Sequence, residues 1–307
     1  MSPLLACARH ARWLLVAGLV AGVAVPGVAS AVRPWLPELV ALMLFLAALR
    51  IGPRRAVGAL HELRETALVL LVWQLALPLA AVALFAATGL LGQPAALALV
   101  LMLAASPLAG SPNLTMLVGA DPAPALRLLI LGTAVLPLSV IPVFWALPAL
   151  GSAAAVTGSV LRLLMTIGLA AGLAFALRLT LMKAPSETAL ARMDGLSALT
   201  MTVMVLGLMS AVGPALSERP LALAGWLALA CAANLGPQCV VALLLKGRMP
   251  GARIPALAIT AGNRNIALFL VALPPETTDA LLLFIGCYQV PMYLTPLLMT
   301  RFYARLR

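Results

Sequence analysis

Three consecutive polar residues, Asn263, Arg264 and Asn265, follow a glycine inside an otherwise apolar stretch in the last fifth of the chain. A guanidinium within an apolar segment of membrane length costs about 3 kcal/mol on insertion scales. Three adjacent polar side chains also cannot all face the same protein surface along one continuous helix. The pattern therefore predicts a broken helix whose polar backbone lines a cavity at membrane depth.

A second polar interruption lies in the first half of the chain, where Pro107, Gly110 and Pro112 fall within one apolar segment. Each proline lacks a backbone donor and clashes with the carbonyl four residues earlier, so an unbroken helix is not expected. Unwound backbone here would be joined by short polar side chains at Ser111, Asn113 and Thr115. The alternative is a proline kink that neighbouring helices stabilise without any ligand.

The composition determines the class of protein that these segments belong to. The chain has 307 residues, of which 64% are hydrophobic and 9% charged, and its mean hydropathy is +1.11. Soluble domains carry roughly 25% charged residues, so this chain is predicted to be an all-α polytopic membrane protein. Apolar runs and their punctuation predict ten spans, at 13–31, 36–50, 66–88, 95–118, 124–147, 156–180, 195–213, 221–245, 254–273 and 279–300.

The net charge of +11 indicates membrane orientation, and we expect no nucleic-acid partner. Most of the 20 lysines and arginines fall in alternate connections between the predicted spans. By the positive-inside rule, this bias predicts an even number of spans with both termini cytoplasmic, in a bacterial inner membrane. A cleaved signal ending near Ala31 is the alternative for the N-terminal segment, which we interpret as the first span.

Ten spans divide into two sets of five, residues 1–150 and 151–307, with a polar break in span four and another in span nine. Because five is odd, the second set enters the membrane from the opposite side. The sequence thus predicts two inverted repeats, and matched broken helices are the best sequence pointer to a binding site near the bilayer midplane.

The predicted spans offer Arg264 no carboxylate partner, because the nine acidic residues all fall in predicted loops or at span ends. A buried arginine needs a carboxylate or a set of carbonyls. We therefore expect Arg264 to contact either backbone carbonyls or an anionic ligand, unless it is a structural cation or reaches the membrane surface. Gln74, just before Pro78 in span three, is a further candidate at the crossing.

These motifs resemble the bile acid:sodium symporter family over nearly the whole chain. Gly110-Ser-Pro-Asn113 with Gly119-Ala-Asp121 resembles the first crossover of that family, and Gly262-Asn-Arg-Asn265 resembles the second. Gln74 with Leu77-Pro78 resembles the glutamine and proline of its third span. The resemblance implies a panel domain and a core domain that rock against each other, with an organic anion bound near the crossing helices.

The chain departs from that family at the sodium-site positions. An acidic residue of the family is replaced by Thr260, and a glutamine of the second crossover by Arg264. Losing a carboxylate and gaining a guanidinium would repel a nearby cation in a low dielectric. The sodium ligands that the resemblance implies are Thr260, Gln74 and Asn113. Our hypothesis is that Arg264 replaces a bound sodium ion electrostatically.

The sequence therefore predicts a carrier for a small organic anion, working by alternating access with weak or no sodium coupling. The expected substrate-binding residues are Asn113, Asn263, Arg264, Asn265, Ser111, Thr115 and Gln74. Conventional sodium coupling and a receptor that binds without transporting are the alternatives. We expect neither an enzyme nor a cofactor, because the spans carry no paired carboxylates and no histidine cluster. The oligomeric state is not determined by the sequence, and a monomer is the default expectation.

Overall fold

A computed structural model describes residues 2–306, apart from the side chains of residues 60 and 61. The described chain is built from helices, and its one β-type pairing is an isolated bridge between two residues. The α-helices are α1 (Pro3–Arg9), α2 (Ala11–Ala24), α3 (Pro26–Val32), α4 (Leu36–Ile51), α5 (Pro53–Gly58), α6 (Leu63–Leu71), α7 (Leu77–Ala87), α8 (Pro94–Ala104), α9 (Ser111–Leu117), α10 (Ala123–Trp145), α11 (Ala153–Thr180), α12 (Glu187–Leu208), α13 (Val212–Glu218), α14 (Pro220–Leu245), α15 (Ile254–Gly262) and α16 (Pro275–Ala304).

Shorter helical turns join several of these helices. A π-helical turn, Val72–Ala76, connects α6 to α7. The 3-10 turns are Arg33–Trp35, Ala59–Glu62, Pro148–Leu150, Met209–Ala211 and Ile266–Leu270.

Seven helical stretches within the described residues are long and apolar enough to cross a membrane, and the number rises to eight if the bent pair α1–α2 is one span. The seven are Pro26–Ile51, Leu63–Ala87, Ala123–Trp145, Ala153–Thr180, Glu187–Glu218, Pro220–Leu245 and Pro275–Ala304. The chain is thus an all-α polytopic membrane protein, as its composition predicts.

At the N-terminal end, the bent pair α1–α2 and the stretch Pro26–Ile51 have different bounds from the predicted spans 13–31 and 36–50. The helix breaks at Val25, and the stretch that follows continues from Pro26 through Arg33–Trp35 into α4. The residue before a proline is pushed out of the helical region, which explains the φ of −125° and ψ of 72° at Val25. Pro34, in contrast, lies in the first turn of its 3-10 segment, where no backbone donor is needed.

The helices pack in two groups that are mixed in sequence. In the first, α12 packs against α1, α2, α3 and α4, and α11 packs against α4. In the second, α14 packs against α15 and α16, and α10 packs against α6, α9 and α15. Contacts of α11 with α10 and of α12 with α16 join the two groups.

Two non-helical segments, residues 105–110 and 263–265, meet inside the second group. The amide of Asn265 donates to Ser106 O at 2.8 Å, and the amide of Leu108 donates to Asn263 O at 2.9 Å. These bonds form the antiparallel bridge between Pro107 and Arg264. Away from water, backbone groups outside a helix must find partners, and each segment here supplies partners for the other.

The close approach of α14 to the end of α15 requires a glycine at position 262. A Cβ atom added there would overlap the carbonyl oxygen of Asn234 on α14 and crowd the side chain of Gln238. Since the nearest obstacle is backbone, a side-chain rotation cannot relieve the overlap.

We therefore expect Gly262→Ala to lower the free energy of unfolding by about 3 kcal/mol, at the upper end of overpacking effects, because α14 and α15 must separate. Unfolding by sodium dodecyl sulfate in mixed micelles measures this change. Gly225→Ala on α14 is the matched control, since nothing lies within 4 Å of its added Cβ. Equal stability of the two variants would contradict the close approach.

Candidate functional site

The guanidinium of Arg264 is held by backbone carbonyls at the point where the two non-helical segments meet. The residue is 2% exposed. Its Nη2 donates to Leu103 O at 2.6 Å and to Trp73 O at 3.2 Å, and its Nη1 lies 3.4 Å from Thr260 O. The three carbonyls come from the end of α8, the π-helical turn and α15, so one cation joins three separate segments.

The carbonyls of Leu103 and Trp73 lack the amide donors of a regular helix because prolines follow them at the donor positions. In an α-helix, the Leu103 carbonyl would accept from the amide of residue 107, but Pro107 has no amide hydrogen. In an α-helix, the Trp73 carbonyl would accept from the amide of Leu77, four residues later. In the π-helical turn, the Leu77 amide donates to Val72 O and not to Trp73 O. The next residue, Pro78, has no amide hydrogen either. The prolines thus create the acceptors that the guanidinium uses.

Arg264 also lines a cavity of about 390 Å³. Its other lining residues are Trp73, Leu77, Leu103, Gly236, Pro237, Val240, Val241 and Ala261, so Arg264 is the one charged residue in the lining. The volume lies within the roughly 300–1,000 Å³ range of small-molecule pockets. The wall of this cavity is almost entirely apolar, and Arg264, itself buried, is the one residue of the lining that could attract an anion.

The charge of Arg264 has no acidic partner among the described residues. Their buried polar side chains include no Asp or Glu, and their salt bridges join residues that are all partly exposed. The Nε atom of Arg264 is buried and lacks a hydrogen-bond partner within the described chain. Carbonyls satisfy part of the guanidinium but do not neutralise it, so the site retains positive charge and its Nε–H remains an unused donor.

A buried hydrogen-bond network supports the crossing from the side of α14 and α16. Asn234 Nδ2 donates to Gly262 O at 2.8 Å and to Asn263 Oδ1 at 3.2 Å, and Tyr288 Oη also donates to Gly262 O. The amide of Arg264 in turn donates to Tyr288 Oη at 3.3 Å. Gln238, Thr295 and Tyr303 extend the network. Asn263 is therefore fully buried and engaged with protein groups on several sides.

The other predicted site residues differ in their surroundings. Thr260 is buried, and its hydroxyl donates to carbonyls of its own helix while its carbonyl faces Arg264. Gln74 is buried, donates to Gly132 O at 3.0 Å, and leaves its Oε1 atom without a partner among the described residues. Asn265 is half-buried and contributes its backbone amide to the crossing.

The predicted residues of α9 lie on two different faces. Ser111 and Thr115 are buried and joined by a 2.8 Å bond from the Thr115 hydroxyl to Ser111 O. Asn113 is exposed and makes no side-chain hydrogen bond to the described residues. The structure thus brings Arg264 and Thr260 together with the turn that contains Gln74, whereas the exposed side chain of Asn113 makes no hydrogen bond to these described residues.

Sequence reasoning missed the carbonyls of Trp73 and Leu103, because neither side chain is polar. The signal in the sequence was the position of proline: Pro107 lies four residues after Leu103, and Pro78 lies five after Trp73. The polar residues Asn234 and Gln238 on α14 also belong to the supporting network.

Comparison with known proteins returns no matching family model and no matching curated protein.

The network makes a specific prediction about Gly262 O, whose two side-chain donors are Asn234 and Tyr288. Asn234→Leu or Tyr288→Phe alone leaves this carbonyl one donor, whereas the double variant leaves it none. A buried unsatisfied carbonyl costs about 1–3 kcal/mol, so we expect the double variant to be less stable than the sum of the singles by about 1 kcal/mol or more. Unfolding in mixed micelles measures the coupling.

The control for that cycle is Ser139→Ala, which removes a hydroxyl bonded only within its own helix, to Leu136 O. Combined with Tyr288→Phe, it should be additive. Additivity between Asn234→Leu and Tyr288→Phe would show that the two side chains do not share the carbonyl.

Proposed function

We propose that this protein is a secondary transporter for a small organic anion. The observation that carries the proposal is the buried guanidinium of Arg264, which lies at an apolar cavity without an acidic partner among the described residues. An anion bound there would neutralise a charge that the protein has already desolvated. Ion sites of this kind, between interrupted helices at membrane depth, are typical of carriers.

The proposed architecture has ten spans in two inverted repeats, residues 1–150 and 151–307. The eight apolar stretches become ten when the segments around 94–117 and 254–270 are each counted as one broken span. The meeting of these two segments supports the proposal, as does the packing of helices in two groups. This is the architecture of the bile acid:sodium symporter family, to which we propose that the chain is related.

Alternating access follows if the two groups of helices move against each other. The group containing α14, α15 and α16 carries Arg264 and its supporting network, which is bonded within that group. A rigid group can move as one body while its binding site stays intact, and movement exposes the site to each side in turn. We propose that the protein does this as a monomer in a bacterial inner membrane, with both termini cytoplasmic.

Sodium coupling is proposed to be weak or absent because the guanidinium of Arg264 already binds the backbone carbonyls that a sodium ion could use. Hard cations bind protein oxygens, including backbone carbonyls. Here the carbonyls of Trp73, Leu103 and Thr260 face a guanidinium. A sodium ion beside it would be repelled strongly in a low dielectric. The guanidinium, fixed by the chain, would perform the electrostatic role of a bound ion at every sodium concentration.

Conventional sodium coupling is the second candidate, favoured by one specific observation. The Gln74 Oε1 atom is buried and lacks a hydrogen-bond partner among the described residues, so it is an oxygen that could bind a cation. A single amide oxygen without a nearby carboxylate is a poor sodium site, which is why we place this candidate second.

The transport proposal predicts that Arg264→Gln reduces uptake of radiolabelled pyruvate into liposomes by at least about tenfold, because a buried charge-assisted hydrogen bond is worth about 1.5–3 kcal/mol. The matched control is Arg162→Gln. The Arg162 side chain also donates to a backbone carbonyl, that of Ala272 at 2.9 Å. Unlike Arg264, Arg162 is an exposed residue. Uptake unchanged in Arg264→Gln would contradict the proposed role, and binding without uptake in the unmodified protein would indicate a receptor.

The coupling proposal predicts that the same uptake differs by less than about twofold with and without an inward sodium gradient, because the guanidinium of Arg264 occupies the carbonyls of Trp73, Leu103 and Thr260. Potassium gradients of equal size control for the membrane potential. A steep sodium requirement that is lost in Thr260→Ala would overturn sodium independence and favour the second candidate.

A further inference from the structure

The cavity at Arg264 opens between two helices on faces that are apolar and exposed. Leu77 on α7 and Val240 on α14 line the cavity and are 43% and 55% exposed. On α14 the exposed face continues through Leu243 and Leu244, three and four residues further on, and on α7 it continues to Leu84, seven residues on. An apolar, exposed helix face in a membrane protein lies against hydrocarbon.

We propose that this cavity is a lateral binding site for a fatty-acid-type anion, with one carboxylate and one apolar chain, that enters from the bilayer between α7 and α14. The inference rests on the proposed function in one respect, namely that Arg264 binds an anion. It adds the class of ligand and the route by which the ligand arrives.

The head of such a ligand is specified by the guanidinium. The Nε–H of Arg264 has no partner within the described chain, while Nη2 is used by two carbonyls. This leaves a site suited to one carboxylate. Because the lining contains no other charged residue, a second carboxylate or several hydroxyls on the ligand would be buried without partners. The lining therefore discriminates against polyhydroxylated and multiply charged anions.

The tail is specified by the opening. A closed pocket of about 390 Å³ would limit the length of a chain, but here the rim at Leu77 and Val240 is exposed, and on the proposed orientation it faces the bilayer. A chain longer than the cavity can continue into the hydrocarbon, where its methylene groups are as well solvated as against the protein. Affinity must then come from the carboxylate, and chain length beyond the cavity should matter little.

Tryptophan fluorescence tests the inference directly, because Trp73 lines the cavity. We would replace Trp13, Trp35, Trp145 and Trp226 by Phe and reconstitute the protein in phosphatidylcholine liposomes. The probe is 11-bromoundecanoate, whose bromine quenches tryptophan on contact. We expect saturable quenching of Trp73. The neutral 11-bromoundecanol should quench without saturation, because it partitions into the bilayer but lacks the charge that Arg264 binds.

Two matched comparisons locate the site. In a Trp73→Phe background, Leu243→Trp places the fluorophore on the exposed face of α14 but outside the lining, and its quenching by the acid should be linear. In the Trp73 background, Val240→Phe should narrow the opening and weaken saturable quenching by at least about tenfold, whereas Leu243→Phe should not change it.

The outcomes separate this inference from the proposed function. Absence of saturable quenching, or equal quenching by the acid and the alcohol, would overturn the lateral site even if Arg264-dependent uptake of pyruvate persists. Saturable quenching by the acid alone, weakened in Val240→Phe, supports the site even if no anion is transported. Arg264→Gln should abolish saturation, and unchanged quenching in a folded Arg264→Gln protein would overturn the inference.

Discussion

The structure depends on one buried cation and the carbonyls that surround it. Arg264 links the end of α8, the π-helical turn before α7 and the preceding helix α15 through three backbone oxygens. Carbonyls in the middle of helices are normally occupied by amides, so a cation is held this way most readily where the helical pattern fails. Pro107 and Pro78 cause that failure at two of the three positions. The prolines and the arginine are therefore parts of one site, although they are far apart in sequence.

Contact between the guanidinium and the carbonyls reduces two separate free-energy costs. A guanidinium at membrane depth is expensive, and so are carbonyls without donors. Bringing them together reduces both costs, but the oxygens are neutral and the net positive charge remains. The uncompensated charge gives the cavity its chemical character, since its walls are otherwise apolar. A structural arginine with a carboxylate partner would be electrically satisfied and would offer little to an anion.

Rigidity at the crossing comes from a second set of contacts. The bridge between Pro107 and Arg264 pairs the non-helical segments, and the Asn234–Tyr288 network satisfies the carbonyl at the end of α15. Asn263, which the sequence predicts to bind substrate, is engaged by Asn234 and Thr295, and its role in binding stays a prediction. Its polar side chain holds the crossing together, which shows that a polar residue at membrane depth can have protein partners on several sides. Asn113, in contrast, remains exposed on α9.

The sequence alone determined the class of protein and the places where helices cannot continue. Composition requires a membrane environment because so few charged residues cannot solubilise so much apolar surface, and proline and glycine interrupt helices for local steric reasons. The sequence does not give the N-terminal helix boundary, because either Pro26 or Pro34 could interrupt a helix. Only the position of each proline within a helical turn decides that the break falls before Pro26.

Only the tertiary structure decided which oxygens bind Arg264 and which polar residues bind one another. The prolines mark the carbonyls of Trp73 and Leu103 as lacking a helical amide partner, but nothing in the sequence assigns those carbonyls to Arg264. They become partners of Arg264 because packing brings three segments to one point. Local steric rules act between neighbours in the chain and can be predicted from it, whereas the pairing of distant groups depends on how the helices pack together.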